Sequence, residues 1–416
     1  MAANQPEATR LLSIQSHVVC GYVGNRSATF PLQLLGWEVD VINTVQFSNH
    51  TGFGRWGGMR FDEKHIDDLV GGLDKNGLLR YARVLTGYIP SPNALLSVQR
   101  AVKRLRQLNP SLIYVLDPVM GDIGRGMYVN PDVLPIYKSM LPLSSIITPN
   151  QFEAEILTDK KITSLDTLLA VLQTLHVQHR VPHVLITSVE LPDEDLHKQG
   201  IARTQPDGSP LMLLVGSSVQ QTLCTAVAEA RPWYIQFPEV EGYFSGVGDL
   251  FAAMIVGRYM RPAEAQSAAS SAFSSQPASP APQPAPSATS SDAATPPAFL
   301  RTPSAMLDEV HSAPTPLSRA AELAIASVQA VLAKTSEAIA KVPPMPTRQE
   351  WEASRAATAD GPTTLDEGTE EAREKAWEVQ KKVEIFRRRE LKIVQSQKQI
   401  DQPIVRYKAR WLLPNA

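Results

Sequence analysis

As far as Arg261, the chain alternates short apolar, β-branched runs with longer segments whose apolar positions recur at helical spacing. Strands buried on both faces read as nearly continuous apolar runs, so this alternation predicts an α/β fold with a mostly parallel sheet. The predicted strands are Leu11 to Ser16, Glu38 to Val45, Val84 to Tyr88, Leu112 to Pro118, Ile146 to Pro149, His183 to Ser188 and Leu211 to Ser217. Three of them, ending at Ser16, Asp117-Pro118 and Thr187-Ser188, pass from apolar to hydroxyl or carboxylate at the C-terminal end. In open α/β sheets ligands bind at that edge, which makes these polar ends the first place to look for chemistry. The same residue types also cap helices, so each one taken alone has two readings.

Beyond Arg261 the pattern changes abruptly. From Ser267 to Ser290, 20 of 24 residues are Ser, Ala or Pro. Such a stretch buries too little apolar area to offset its ordering entropy, and the composition predicts disorder. Leu317 to Lys341 regains helical spacing and reads as a helix that docks on the main body. Pro343, Pro344, Pro346 and Pro362 then break the chain again. The expected organisation is a core over residues 1–262, a Ser/Ala/Pro-rich insertion over 263–313, a core helix over 314–341, a flexible insertion over 342–368, and a C-terminal helix with a final strand over 369–416.

Composition narrows the function classes. The 416 residues are 43% hydrophobic, enough for a large core, and 40 Lys+Arg against 42 Asp+Glu leave a net charge of −2. That balance argues against a surface built to neutralise nucleic-acid phosphates or anionic lipid. Arg387-Arg388-Arg389 lies among Glu371, Glu374, Glu378 and Glu384, so it reads as a solvated helix face. Cys20 and Cys224 are too few for a disulfide framework, and the apolar runs fall short of the ~20 residues of a membrane span. The N-terminus carries no basic start followed by an apolar stretch. The expectation is a cytoplasmic protein, with nuclear access left open and neither nucleic acid nor membrane as partner.

The sharpest chemical signal is Phe244-Ser245-Gly246-Val247-Gly248-Asp249, where two glycines introduce an apolar helix. Small residues at a helix start let the backbone turn tightly and aim free N–H groups at an anion, with the helix dipole adding positive potential. Asp249 in the first turn beside such an anion hole has a natural task, taking a proton from an alcohol that attacks a phosphoryl group. Its other reading is an ordinary N-terminal helix charge. Neither a Gly-x-x-x-x-Gly-Lys-Ser/Thr loop nor a Gly-rich kinase loop with a strand lysine occurs.

Taken in order, the residues resemble the pyridoxal kinases of the ribokinase-like superfamily. The similarity runs through Leu12 to Val18, Gly21 to Arg26, Phe30 to Gln33, Val45 to Gly52, Thr86-Gly87-Tyr88, Asp117-Pro118-Val119, Ile147 to Glu155, Ile186-Thr187-Ser188 and the glycine motif with Asp249. Leu391 to Ser396 looks like the family's final strand region. The resemblance implies a central mostly parallel sheet flanked by helices on both faces, a homodimer, and ATP-dependent phosphorylation of the 5′-hydroxymethyl group of pyridoxal, pyridoxine and pyridoxamine in vitamin B6 salvage. It also implies Mg²⁺ and a monovalent cation, K⁺ or Na⁺, as cofactors.

By the same resemblance, Ser16 hydrogen-bonds the pyridine ring, Thr51 contacts its polar substituents, and Val45, Phe47 and Tyr88 wall it. Asp249 is the base, with Gly246, Val247 and Gly248 forming the anion hole. Asn150 and Glu153 belong to the Mg-ATP region. Asp117, Thr148 and Thr187 neighbour the cations and phosphates, and Ser188 is the adjoining ATP contact. Asp122 and Tyr128 lie in the loop approaching the phosphates, with Asp122 also a metal neighbour. Val240, Glu241, Gly242 and Phe244 line the adenine side.

This chain has Val247 where many members have threonine, and it carries the Ser/Ala/Pro tract that the family core does not need. Two rival readings stand beside this one: a hydroxymethylpyrimidine kinase of thiamine synthesis and a non-catalytic B6-binding scaffold. Gln15-Ser16-His17 and Ser48 to Gly52 favour pyridoxal over the first. Asp249 together with Asn150 and Glu153 counts against the second.

Overall fold

The computed structural model describes residues 7–219, 231–261, 313–357 and 369–412. Ten strands form one sheet in the order β12-β11-β10-β9-β8-β5-β4-β1-β2-β3. They are β1 (Glu7–Val18), β2 (Glu38–Phe47), β3 (Gly58–Arg60), β4 (Tyr81–Thr86), β5 (Ile113–Leu116), β8 (Ile146–Ile147), β9 (His183–Ile186), β10 (Leu211–Ser218), β11 (Trp233–Pro238) and β12 (Arg410–Trp411). The six central strands from β2 to β9 pair in parallel, and antiparallel partners close both edges. A two-residue hairpin, β6 (Gly121–Asp122) with β7 (Gly126–Met127), stands apart from the sheet.

Alternating side chains of each strand enter two cores, one per face, because successive residues of a strand point opposite ways. Leu12, Ile14, Val84, Tyr114, Ile147 and Val184 join the first core. Leu11, Leu85, Val115, Ile146 and Leu185 join the second, against the helices Val247–Arg258 and Pro316–Ala340. The helix Val247–Arg258 is apolar nearly all round, as a helix sandwiched between sheet and a covering helix must be. Pro316–Ala340 is long and apolar enough to cross a membrane by length and composition, yet its side chains from Leu317 to Val331 are largely buried in this core.

Three sequence expectations change. Within 342–368, predicted to be flexible, Arg348–Ala357 is a helix: Trp351 packs on Trp377 of the helix Glu370–Arg388 at 5.6 Å, and Arg348 pairs with Glu370. Leu391 to Ser396 is not a strand. Leu391 and Ile393 are buried anchors that lead into a 3₁₀ turn at Val394–Ser396, and the last strand is Arg410–Trp411. β11, absent from the expected strands, brings Trp233 and Ile235 fully into the second core. Cys224 and nearly all of the 263–313 insertion lie outside the described residues.

Candidate active site

The polar ends of the parallel strands converge at one edge. Ser16 lies near the end of β1, Asp117 directly after β5, Thr148 directly after β8, and Thr187 and Ser188 directly after β9. Backbone bonds from Asp117 to Thr86, from Thr148 to Leu116 and from Thr187 to Pro149 carry the sheet ladder past the strand ends and hold these residues in line. The sequence places each of these residues at a strand end, and the fold lines them up.

Two glycine turns build the centre of the site. Gly246 precedes the helix Val247–Arg258 with φ of 85°, and a Cβ there would stand 1.9 Å from the Tyr22 carbonyl oxygen. Gly24 has φ of 52°, and a Cβ there would meet Ser16 at 2.1 Å. Only glycine fits either backbone. The Ser27 hydroxyl donates to the Gly246 carbonyl at 3.0 Å, and the Gly24 N–H donates to the Asp249 carboxylate at 2.8 Å. Asp249 is therefore gripped between the two turns, close to Ser16, while retaining some exposure. The surrounding protein pushes its pKa up by desolvation, and the Gly24 N–H offsets part of the rise. Gly248, one residue before, is exposed and has open space where a Cβ would be. The Val247 side chain packs toward the second core, which leaves main-chain N–H groups at the helix start as donors.

Beside Asp249 lies a small apolar cluster separate from both cores. Val18, Val23, Val45 and Phe47 are buried in it, and Tyr88 packs against it. Val45, Phe47 and Tyr88, the expected ring wall, thus meet as one surface. Trp56, 6.4 Å from Phe47, extends the cluster outward. Thr51 opens a 3₁₀ turn, Thr51–Phe53, whose Gly52 N–H donates to His50 Nδ1 at 3.1 Å. Phe386, from the helix Glu370–Arg388, stacks on Phe53 at 5.2 Å and reaches His50 and Tyr243. The sequence gives no sign that this helix returns to the site, because the contact joins segments with no shared pattern.

On the other side, Asn150 caps the helix Gln151–Thr158 in a reciprocal arrangement with Glu153. Glu153 is buried, and its oxygens accept the N–H groups of Met120, Gly121 and Asn150. Burial dominates these bonds and pushes its pKa up to about 8. The Asn150 amide donates to the Gly121 carbonyl at 2.7 Å and reaches Asp122. Asn150 and Glu153 therefore hold the loop that follows Asp117. Desolvation, then the charges of Glu153 and Asp249, push Asp117 well above the usual carboxylate range. The Thr148 hydroxyl is close enough to offset this partly, but it is buried without a hydrogen-bond partner.

Crowded carboxylates beside an unpartnered hydroxyl are a donor set that suits a hard cation. Among the described residues no group of three His, Cys, Asp or Glu side chains could hold a metal by itself. The residues fit an ion that takes one or two carboxylates and completes its shell with water and phosphate oxygens.

The adenine-side assignments separate. Val240 and Phe244 pack into the second core, Phe244 beneath the Arg389 guanidinium, while Glu241, Gly242 and Tyr243 face out. The aromatic ring presented to solvent is that of Tyr243, with the Arg125 guanidinium stacked on it at 4.1 Å. This contact ties the hairpin loop to the 241–244 turn. Tyr128 and Asp122 belong to the same hairpin loop, with Tyr128 exposed. Tyr243 sits two residues before Ser245 in the motif, and its neighbours Gly242 and Phe244 drew the assignment instead.

A family model for phosphomethylpyrimidine kinase matches residues 79–274. The pyridoxal kinase of Homo sapiens is 44% identical over 254 residues, 60% of this chain and 77% of that protein. The pyridoxal kinase of Arabidopsis thaliana is 41% identical over 249 residues, 60% of this chain and 73% of that one. Among solved structures, pyridoxal kinase from Leishmania donovani in complex with ADP and pyridoxamine superposes with a TM-score of 0.64 at 25% identity, covering 98% of this chain and all of that one.

Proposed function

Because the chain belongs to the pyridoxal kinase family, we propose that its two glycine turns and strand-end polar residues divide the labour of phosphoryl transfer as follows. The reaction is ATP-dependent phosphorylation of the 5′-hydroxymethyl group of pyridoxal, pyridoxine and pyridoxamine, a step of vitamin B6 salvage. Val45, Phe47 and Tyr88 wall the pyridine ring, and Ser16 and Thr51 orient it through hydrogen bonds. Asp249 accepts the proton of the attacking hydroxyl. Its raised pKa suits that role, since a base with more proton affinity takes a proton more readily so long as it is ionised at the working pH. The N–H groups of Val247 and Gly248 at the helix start stabilise the charge that develops on the transferred phosphoryl group.

Nucleotide binding involves Thr187, Ser188, Asn150, Tyr128 and the open face around Gly248. Asp117, Asp122, Thr148, Thr187 and Glu153 would hold Mg²⁺ and a monovalent cation, Glu153 through water because main-chain N–H groups already occupy its oxygens. When bound, the metal supplies charge neutralisation of the phosphates. The family resemblance supports a homodimer, and the composition supports a cytoplasmic location.

The observation that carries this reading is the clamp of Asp249 by Gly24 beside Ser16 and the apolar wall. The test is ATP-dependent formation of pyridoxal 5′-phosphate by the purified full chain, with hydroxymethylpyrimidine as competing substrate. Preference for the pyrimidine overturns the substrate assignment. Pyridoxal binding without turnover overturns the catalytic one.

A further inference from the structure

The strands that carry Asp117, Thr148 and Thr187 at one end present a different chemistry at the other. A cavity of about 300 Å³ lies at the N-terminal edge of β5, β8 and β9, lined by Leu112, Ser144, Ser145 and His183 from the approaches to those strands. From Leu112 to Asp117 is roughly 16 Å along an extended strand, so this cavity and the active site occupy opposite edges of the sheet. Arg106, Arg180 and Arg261 reach it from three separate places: the last turn of the helix Pro92–Leu108, the loop before β9, and the segment after the helix Val247–Arg258.

Arg106 is largely desolvated, and its partners are neutral: the Leu143 carbonyl at 2.6 Å and the Ser145 hydroxyl at 3.1 Å. Burial, with the positive charge of Arg261 contributing, lowers its proton affinity. His183, bonded to Ser218 and Tyr259, is held near pKa 4 by burial and by the charges of His176 and Arg261. Arg180 has φ of 56°, one of two non-glycine residues in the left-handed region among those described. A long basic side chain is thus held where glycine is the easier residue.

We propose that this cavity is an anion site for a phosphate group, either inorganic phosphate or a small phosphomonoester. Arg106 spends one edge of its guanidinium on Leu143 and Ser145, and Arg261 donates to the Ser111 carbonyl. What the three arginines share is positive charge from three directions over a lining without a carboxylate, which favours the higher charge of phosphate over a singly charged carboxylate. Phosphate presents tetrahedral oxygens to all three directions, while the Ser144 and Ser145 hydroxyls are already donated to the Leu141 and Leu112 carbonyls. The volume suits an ion with a short organic body and is at the lower end for ligand pockets.

The test is calorimetric titration of the full chain with inorganic phosphate, the active site being filled beforehand with pyridoxal and a non-hydrolysable ATP analogue. The expected result is one further site with a sub-millimolar dissociation constant, weakened about tenfold or more by Arg180→Gly. That substitution removes the guanidinium at a backbone position glycine favours, so the fold is retained. Arg261→Gln gives the second variant. Glycerol phosphate, titrated in parallel, distinguishes the sources: tighter binding than inorganic phosphate identifies a phosphomonoester, weaker binding the free ion. No added binding up to about 10 mM phosphate, or binding unchanged in both variants, overturns the proposal.

Discussion

The Gly24 N–H donates to the Asp249 carboxylate at 2.8 Å across 225 residues of sequence. In the proposed division of labour the two turns it joins bear the two ends of the reaction: Gly24 abuts Ser16, assigned to the substrate, and Asp249 sits at the helix start assigned to the phosphates. One hydrogen bond would then fix the proposed base relative to both reactants, the kind of positioning that makes intramolecular reactions fast.

Asp249→Asn removes the proton acceptor while keeping an oxygen for Gly24. Turnover should fall by ~10² to 10⁴, the usual worth of general-base assistance, with little change in pyridoxal affinity. Steady-state kinetics with calorimetric binding checks this. A folded variant keeping more than about a tenth of its turnover means that Asp249 is not the principal base.

The two glycines flanking Val247 should respond in opposite ways to alanine. At Gly246 the added Cβ meets the Tyr22 carbonyl at 1.9 Å in a left-handed backbone, so Gly246→Ala should lose on the order of 2–4 kcal/mol of stability in urea melts. At Gly248 nothing lies within 4 Å, so Gly248→Ala should melt like the parent. Its methyl would stand where the phosphates approach, and the Michaelis constant for ATP should rise. An unchanged ATP constant places the phosphates elsewhere.

Glu153, raised from 4.5 to about 8, makes stability depend on pH. Between those values the folded chain keeps a proton that the unfolded chain has released, so the unfolding free energy falls as pH rises through that window. Asp117, shifted the same way, adds to the slope. Urea melts of the ligand-free protein from about pH 5 to 8 should show the decline, and Glu153→Gln should flatten it. Stability that rises across the window contradicts the buried-acid assignment.

Phe386→Ala should loosen the Thr51–Phe53 turn, since its ring stacks on Phe53 and touches His50. The Michaelis constant for pyridoxal should rise about tenfold while turnover moves less, because the affected turn carries Thr51, proposed to orient the ring and not the reacting oxygen. Equal losses in both constants would assign Phe386 to the chemistry.

What could be read from the chain follows the range of the forces involved. β1, β4, β5 and β9 are buried on both faces, so their apolar runs announce them, and the polar residues at their ends come with them. β11 went unread although Trp233 to Phe237 is aromatic and β-branched, because prolines bracket it and prolines argue against a strand interior. β12 and the β6–β7 hairpin are two residues to a strand, too short for any period. Leu391 and Ile393 looked like strand residues because burial as isolated anchors selects the same side chains. Asp249 and its glycines were legible as a local motif. Gly24, Tyr243 and Phe386 were not, since their roles rest on contacts between segments far apart in the chain.

The return of Phe386 to the Thr51–Phe53 turn, and of Arg410–Trp411 to the edge of β11, sets an order of events during synthesis. When the helix bearing Asp249 has left the ribosome, the proposed base and ring wall have been made, but the helix that braces the Thr51–Phe53 turn has yet to follow. A chain broken off between the helix Val247–Arg258 and Phe386 keeps the residues proposed for the chemistry and lacks the one that packs on the Thr51–Phe53 turn. Full activity therefore waits for Phe386, which follows Asp249 by 137 residues.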